Sequence, residues 1–350
     1  MDAECDKEAH GDARESVGPV RTLTDLARLA GVTAGTVSRA LAGSELVKAK
    51  TRERIQSLAR EHGFRPNQMA SKLRTQRTGV IGVVIPLGHE RRQHISDPFF
   101  MTLLGHLADT LTESGYDLML SRAIPEDTPD WLERITGSGM VDGVIVIGQS
   151  DQFDTIERVA ASYPRMVVWG SYRPGQAHCV VGTDNRFGGR LAAEHLLAGG
   201  ARKLAFLGDT TGIEIAERLD GVQEAARNGH ASLLHLPCHL SDEVMERELR
   251  GQLARHGEEI DGIVAASDLI AMTAMKVLRE MGKSIPGDIQ VIGFDDLPLA
   301  AQTMPPLTTV RQDIARGARA IVANLAARIA GKPGKTLVME PLLIERQTTL

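Results

Sequence analysis

The sequence has few of the residues and motifs on which catalytic, metal and cofactor sites depend. Only three of its 350 residues are cysteines, Cys5, Cys179 and Cys238, and their spacing fits neither a disulfide framework nor a four-ligand zinc site. The chain also lacks a Walker phosphate loop, a GxSxG nucleophile motif and a dinucleotide fingerprint. We therefore expect no catalytic residues, no metal and no cofactor, and the unpaired cysteines suit a reducing cytoplasm.

Long apolar runs are also missing. None approaches the about twenty residues that a membrane-spanning helix needs, so we expect no membrane association. Residues 1–19 are acidic and polar, which is typical of a disordered tail and not of a signal peptide. Aromatic residues make up only 3% of the chain, and two of them are tryptophans. An aromatic side chain beside a predicted site is therefore informative.

Charge is distributed unevenly along the chain. Residues 20–78 contain twelve Lys and Arg against four Asp and Glu, a net charge of +8, whereas the whole chain carries −5. The remaining residues must then sum to −13. A basic segment on an acidic body can bind a polyphosphate locally while the body is repelled from it, which favours nucleic acid as the partner.

Residues 20–65 carry the pattern of a helix-turn-helix domain. Thr22 with Asp25 three residues later is a capping signal for a first helix, and Gly31 ends that helix. Thr33 is a natural N-cap for a second helix. A third helix, about residues 49–62, has apolar positions at helical spacing. Together the three helices predict a small all-α domain.

The outward face of the second helix suits double-stranded DNA. It carries Ala34, Gly35, Thr36, Ser38 and Arg39, which are short side chains and one long donor. Such a helix can enter the major groove, where hydroxyls bond phosphates. Arg39 can reach guanine O6 and N7, and Ala34 can contact a thymine methyl.

The segments TLTDLARLAGVTAGTVSRAL, KTRERI and FRPNQMASKLRTQRTGVIGVVIP resemble the LacI/GalR family of bacterial transcriptional regulators. Two positions depart from the pattern that members often show. Small residues stand at the start of the second helix, and Lys48 occupies the place of the usual serine or threonine cap. The resemblance implies DNA contacts in the head at Thr22, Thr33, Ala34, Gly35, Thr36, Ser38, Arg39, Lys48 and Thr51.

Residues 66–78 match the segment that, in this family, connects the head to the body. The resemblance implies that Asn67 to Thr75 folds as a hinge helix only on operator DNA. It also implies that Leu73 wedges between base pairs in the minor groove. Ala70 and Leu73 form a small apolar face, and about nine residues are too few for a stable isolated helix. An ordinary interdomain linker is the alternative.

Residues 79–350 alternate between strand-like and amphipathic segments, which predicts parallel sheets with helices on both faces. This length is too great for one such sheet, so we expect two lobes. The resemblance implies a periplasmic-binding-protein-like body of two doubly wound lobes, crossed near Gly182, Arg311 and Glu340. The predicted amino-terminal lobe comprises about 79–182 and 312–340, and the carboxyl-terminal lobe about 183–311 and 341–350.

Polar side chains and one aromatic follow several predicted strands. In open α/β sheets, ligands bind outside the carboxyl ends of the strands. That rule nominates Gln149, Trp169, Asp184, Asp268 and Asp295. Carboxylates, amides and one flat ring are what a sugar requires, because hydroxyls are hydrogen-bonded and the apolar ring face stacks. Helix capping or interlobe packing is the alternative role for each residue.

The resemblance adds further effector contacts at matching positions. Arg218, in the segment ERLDG, is expected to begin a helix that faces the cleft and to be a principal contact. Phe99 and Gln312 match other contacts. Arg122 does so as well, although it and Gln149 also suit solvated loops.

We therefore predict a cytoplasmic, nucleoid-associated homodimer that represses transcription by binding operator DNA under the control of a small carbohydrate. A nucleobase-responsive repressor of the same architecture and a sugar-binding protein without a regulatory role are the alternatives. A transport receptor needs export, and an enzyme needs a catalytic dyad that the cleft does not supply.

Overall fold

The computed structural model describes residues 20, 22–64, 77–87, 93–240 and 242–350, with only the backbone for 242 and 243. Contacts divide the chain into two units, with the boundary between Arg77 and Thr78. In the first unit the described residues form three helices, α1 (Leu23–Ala30), α2 (Ala34–Leu41) and α3 (Ala49–Glu61).

The helices of this head begin and end where the sequence predicts. The Thr22 hydroxyl accepts a hydrogen bond from Asp25 N at 3.1 Å, and the Asp25 carboxylate accepts one from Thr22 N at 3.0 Å. Gly31 ends α1 with a φ of 63°, a left-handed conformation that glycine adopts without steric cost. Thr33 caps α2. The fully buried side chains of Leu26, Val37 and Ile55, one from each helix, form the centre of the small core.

The first sheet of the body consists entirely of parallel strands, in the order β11-β5-β4-β3-β1-β2. Its strands are β1 (Val80–Pro86), β2 (Asp117–Ala123), β3 (Gly143–Ile147), β4 (Met166–Trp169), β5 (Cys179–Thr183) and β11 (Leu337–Met339).

Successive side chains of this sheet enter different cores. Ile145 and Val167 pack into one apolar cluster, whereas the adjacent Val144 and Val168 pack into another on the opposite face. A strand that is buried on both faces is the mark of a doubly wound sheet. Helices α4 (Pro98–Glu113) and α11 (Ile314–Ile329) cover one face, and α5 (Trp131–Thr136) and α6 (Phe153–Ser162) cover the other.

The second sheet has the order β12-β10-β9-β8-β6-β7 and is parallel except at β12, which pairs antiparallel with β10. This strand departs from the expected parallel pattern for a geometric reason. Only two residues separate Met339, where β11 ends, from Leu342, where β12 begins. To run parallel with the other strands of the second sheet, β12 would need a long connection before it, because parallel strands are joined by crossovers. The strands are β6 (Lys203–Leu207), β7 (Ser232–Leu236), β8 (Gly262–Ala265), β9 (Gln290–Asp295), β10 (Thr308–Arg311) and β12 (Leu342–Ile344).

Four helices accompany the second sheet: α7 (Asn185–Ala198), α8 (Ile213–Asn228), α9 (Asp242–His256) and α10 (Asp268–Glu280). The chain passes from one sheet to the other after β5, after β10 and after β11. Apart from β12, the structure confirms the predicted architecture of an all-α head and a body with two doubly wound lobes. Among the described residues, no helix combines the length and apolar character needed to span a bilayer.

Candidate effector site

A cavity of about 110 Å³ lies where strands of both sheets end. Pro86 at the end of β1 and Trp169 at the end of β4 contribute from the first sheet, and Ala266 and Asp295 from the second. This is the position that parallel sheets provide for a ligand. We call it the interlobe cavity. Its polar lining residues are Gln93, Asp97, Ser150, Glu214, Arg218, Ser267, Asp295 and Gln312.

Two aromatic side chains form one wall of the interlobe cavity. The ring centroids of Phe99 and Trp169 are 6.0 Å apart, and their planes are tilted by 58°. Trp169 is 4% exposed and needs the small residue that faces it on α11, because a Cβ at Gly317 would lie 2.3 Å from Trp169 Cζ3. Gly317 therefore determines how far this ring can recede from the cavity.

Arg218 is buried at the cavity by a close approach of two helices. A Cβ on Gly189 of α7 would lie 1.9 Å from the Arg218 carbonyl oxygen of α8, so only glycine permits this packing. Arg218 Nε donates to Asn185 Oδ1 at 2.8 Å, and its Nη1 donates to the Ala266 carbonyl. The guanidinium lies 3.7 Å above the Phe294 ring centroid. These contacts fix its orientation before any ligand arrives.

The charge of Arg218 is opposed by burial and supported by nearby acids. Burial lowers the pKa of the guanidinium, while Asp295, Glu214 and Asp268 raise it. Arginine has an ordinary pKa above 12, so it stays protonated at neutral pH. The cavity thus presents a permanent, oriented cation. The expectation that Arg218 begins a helix was wrong, because α8 starts at Ile213.

Asp295 and Gln312 form a second polar group in the cavity. Gln312 Nε2 donates to Asp295 Oδ1 at 2.6 Å. Burial raises the pKa of the Asp295 carboxyl to about 7, although Arg218 and Gln312 act in the opposite direction. Near neutral pH the carboxyl can therefore accept or donate a hydrogen bond. Asp295 has a φ of 122°, and such backbone strain is found mostly at functional sites.

Two predicted contacts stabilise the body and do not line the interlobe cavity. Asp268 is fully buried, where its carboxylate accepts hydrogen bonds from Thr309 Oγ1 at 2.5 Å and from Leu297 N at 2.7 Å. Burial raises the pKa of Asp268 well above its ordinary value, and Asp295 adds to that effect. Asp184 caps α7 by accepting from Phe187 N at 2.9 Å.

Gln149 and Arg122 are also absent from the cavity lining. The Gln149 side chain turns away, accepting from Ser171 N at 2.7 Å and contacting His178 Nε2 at 3.0 Å. Its backbone N donates to the Glu214 carboxylate at 2.9 Å, which joins the two lobes. Arg122 is exposed on β2, the edge strand of the first sheet.

Five polar residues that line the cavity were not predicted from the sequence: Gln93, Asp97, Ser150, Glu214 and Ser267. Glu214 had a usable signal, because it lies four residues before Arg218 and residues at that spacing share a helix face. Asp97 directly precedes the PFF segment that contains Phe99. Nothing in the local sequence distinguishes Gln93 or Ser150.

In the head, the predicted DNA contacts lie on and beside α2. Gly35 and Arg39 are exposed, and Thr36, Ser38 and Ala34 are half-buried. Arg54, which contributed to the positive charge of the segment, instead donates to the Ala30 carbonyl at 2.6 Å. Of the remaining predicted head contacts, Thr22, Thr33 and Lys48 are N-cap residues and Thr51 lies in the first turn of α3. Asn67, Ala70 and Leu73 lie outside the described residues.

Comparison with known proteins agrees with both units. Residues 22–67 match the family "Bacterial regulatory proteins, lacI family", and residues 193–349 match "Periplasmic binding protein-like domain". Over 333 residues the chain is 31% identical to the ribose operon repressor of Halalkalibacterium halodurans, covering 94% of this chain and 97% of that protein.

Solved structures are similar over nearly the whole chain. The transcriptional regulator CelR–cellobiose complex has a TM-score of 0.67 and 30% identity, covering 93% of this chain and 99% of that one. The lac repressor dimer bound to operator and the anti-inducer ONPF has a TM-score of 0.81 and 25% identity, covering 94% and 99%. Since the similarity extends over nearly the full length of the ribose operon repressor, this chain belongs to the LacI family of DNA-binding transcriptional regulators.

Proposed function

We propose that this regulator is a repressor whose affinity for operator DNA is set by a small carbohydrate in the interlobe cavity. The observation that carries the proposal is one cavity containing the Phe99 and Trp169 rings together with Arg218, Asp295 and Gln312. Aromatic rings can stack on the apolar face of a sugar, and the polar groups can bond its hydroxyls. Relatives include a ribose operon repressor and a regulator solved with cellobiose.

The ring geometry favours a sugar over a purine. A purine sandwich needs two roughly parallel rings, whereas Phe99 and Trp169 are tilted by 58°. Their tilted arrangement leaves one ring to stack on a pyranose or furanose while the other closes the wall. The fixed cation of Arg218 and the carboxyl of Asp295 supply both donors and acceptors for vicinal hydroxyls.

We propose that ligand binding in the interlobe cavity is thermodynamically linked to DNA binding by the head. The cavity is lined from both sheets, so a ligand that bridges them stabilises the interlobe arrangement that it fits. We propose residues 20–65 as the DNA-binding domain, 66–78 as the hinge and 79–350 as the effector-binding and dimerisation domain. A coupling of about 1–3 kcal/mol changes operator affinity by about 5- to 150-fold.

A second copy of the chain is proposed to pack against Met304 on the second lobe. Met304 is 80% exposed and lies at a groove that the half-buried Met272 and the buried Met275 also line. The lac repressor solved on its operator is a dimer, and two half-sites supply base contacts that one recognition helix lacks. Met304→Glu should convert a sedimenting dimer to monomer, and an unchanged sedimentation coefficient would place the interface elsewhere.

The proposal also covers where the protein acts and whether it changes its ligand chemically. An operator-binding protein acts on the nucleoid in the cytoplasm. The interlobe cavity is proposed to release its ligand chemically unchanged, as expected of a family whose members are DNA-binding regulators. Incubation with each stabilising sugar, followed by chromatography of the recovered sugar, tests this point.

The experiment that tests the proposal is a thermal-shift series on the full chain with ribose, glucose, galactose, cellobiose, adenine and guanine. Ligand binding raises the melting temperature, and the rise grows with the logarithm of ligand concentration relative to Kd. We expect one sugar to stabilise the protein and to change its affinity for promoter fragments. Stabilisation by a purine alone would favour the nucleobase alternative. Failure to bind any duplex DNA at low salt, with Arg39→Ala behaving as the wild type, would refute the regulatory function.

A further inference from the structure

A second pocket of about 320 Å³ lies where the chain first passes from one sheet to the other. Thr183 ends β5 and Asp184 caps α7, so this crossing forms the pocket floor. Helix α8 lines both sites, with Glu214 and Arg218 facing the interlobe cavity and Glu217 facing the second pocket. We call it the crossover pocket, lined by Tyr172, Thr183, Asp184, Arg186, Glu217, Asp220 and Val338.

The crossover pocket has an excess of negative charge. Three carboxylates line it, and its one cation, Arg186, is paired with Glu224 at 2.9 Å. Burial raises the pKa of Glu217, and the charges of Glu214 and Asp184 raise it further, while Ser171 and Arg173 act in the opposite direction. Like charges held together are stabilised when a counter-ion joins them. The pocket therefore favours a cationic ligand.

A buried hydroxyl in the same pocket also requires a partner. Thr183 is 4% exposed, and within the described residues its Oγ1 has no hydrogen-bond partner. Leaving a buried polar group unsatisfied costs about 1–3 kcal/mol. The hydroxyl oxygen accepts hydrogen bonds, so a donor such as an ammonium group would satisfy it. This observation is independent of the carboxylates and points to the same chemistry.

The choice among cations follows from geometry. In the part of the chain that the structure describes, no three His, Cys, Asp or Glu side chains are close enough to hold a metal ion. An organic cation tolerates dispersed carboxylates because it carries its charges along a chain. Tyr172 is 45% exposed at the pocket, and an aromatic ring there can contact an ammonium through its π face.

We infer that the crossover pocket binds a small aliphatic diamine. One ammonium group is held by Glu217 and by Thr183 Oγ1, and the other by Asp184 and Asp220 at the rim. The methylene chain lies against Tyr172 and Val338. Because these residues come from both sides of the first crossing, bound diamine favours the interlobe arrangement in which they are close together.

The test measures binding to the full chain by calorimetry in low salt, without sugar or DNA, using 1,4-diaminobutane. We expect saturable binding of the diamine and none of 1,4-butanediol, which has a similar shape without charge. Glu217→Gln and Thr183→Val should each weaken binding at least tenfold. Glu194→Gln, which removes the same charge from an exposed position of α7 outside the pocket, should bind like the wild type.

Thr183→Val also checks that a loss of binding does not reflect misfolding. Because the hydroxyl has no partner, its replacement should leave the melting temperature of the ligand-free protein unchanged or higher. Equal binding of diamine and diol, wild-type affinity in both pocket variants, or tighter binding of Mg²⁺ than of diamine would overturn the assignment. The sugar series described above fails or succeeds independently, since it reports on the interlobe cavity.

Discussion

The helix caps of the head and the polar pairs of the interlobe cavity join residues at very different distances along the chain. In the head, the Thr22 and Asp25 side chains each accept a hydrogen bond from the backbone N of the other, three residues away. The Thr33 hydroxyl accepts one from Thr36 N over the same spacing. In the cavity, Arg218 bonds Asn185 across 33 residues and Gln312 bonds Asp295 across 17. The helix caps of the head thus depend on local interactions, whereas the polar pairs of the cavity exist only when the body has folded.

This difference predicts how each region responds to substitution. A lost cap exposes backbone groups to water at a helix end, which costs about 0.5–2 kcal/mol. A lost partner in the cavity leaves another group buried and unpaired, at a higher cost. Substitutions in the cavity should therefore change stability and ligand response together, and substitutions in the head should allow the two to be separated.

The largest effect is expected for Arg218→Ala. Truncating this buried arginine leaves Asn185 Oδ1 and the Ala266 carbonyl without their donor and removes a positive charge that acts on Asp295, a loss of about 3–5 kcal/mol. The ligand-induced rise in melting temperature should disappear as well. Chemical denaturation and the sugar series measure the two effects.

Arg190→Ala is the matched control, because this arginine of α7 is partly exposed and its contacts are a 3.9 Å ion pair with Glu194 and a cation–π contact with Phe187. Arg218→Lys keeps the charge but loses the planar fork, so it should fold and respond weakly. A full sugar response in Arg218→Ala would remove this residue from the proposed site.

A smaller, pH-dependent effect is expected for Asp295→Asn. Its pKa is raised from 3.8 to about 7, so the folded state holds this proton more tightly than the unfolded state. The contribution of this bound proton to the free energy of unfolding is complete below pH about 4 and is lost as the pH rises to about 7. Asparagine does not titrate, so the variant should gain stability relative to the wild type across that window.

One pKa unit corresponds to about 1.4 kcal/mol, so the gain should be on the order of a few kcal/mol by pH 8. Asp288→Asn provides the control, since that carboxylate is exposed and its pKa is lowered. A difference between Asp295→Asn and wild type that stays constant from pH 4 to 8 would contradict the assignment.

The third effect tests how Trp169 is positioned. Gly317→Ala introduces a Cβ that would lie 2.3 Å from the tryptophan ring, and overpacking of this kind costs about 1–3 kcal/mol. The ring should move toward the interlobe cavity and weaken sugar binding. Gly105→Ala in α4, where the added Cβ meets nothing within 4 Å, should instead stabilise by about 0.5–1 kcal/mol. If both variants lost stability, the cause would be the added methyl group in a helix and not the contact with Trp169.

Local signals allowed much of the fold to be predicted. The caps Thr22 and Thr33, and buried strands such as Gly143–Ile147, depend on neighbouring residues and lie where the sequence places them. Strand β7 carries only a weak sequence signal, because SLLHL is half-exposed at a sheet edge and lacks a continuous apolar run. The direction of β12 depends on the short link after β11, which no residue pattern in the strand itself reveals.

The cavity was predictable only in part, because the strand-end rule places a residue but not the direction of its side chain. Asp295 and Asp268 were nominated on equal grounds, yet Asp268 bonds Thr309, a residue 41 positions away. Gln149 likewise turns to Ser171. Whether a polar side chain faces a ligand is decided by its competing long-range partners, which the sequence around it does not contain.

The smallest effect is expected in the head and separates its stability from its DNA affinity. Lys48 is the N-cap of α3 but makes no side-chain capping bond. Lys48→Ser supplies a capping oxygen and should stabilise the head by about 0.5–2 kcal/mol. It also removes a cation that we place near a phosphate, so DNA affinity should fall and the salt dependence should decrease by about one ion.

Lys50→Ser, two residues later inside the helix, controls for charge without adding a cap. Thermal denaturation and binding titrations at several salt concentrations therefore give opposite signs for Lys48→Ser, and a change of the same sign in both would show that Lys48 has no separate role on DNA.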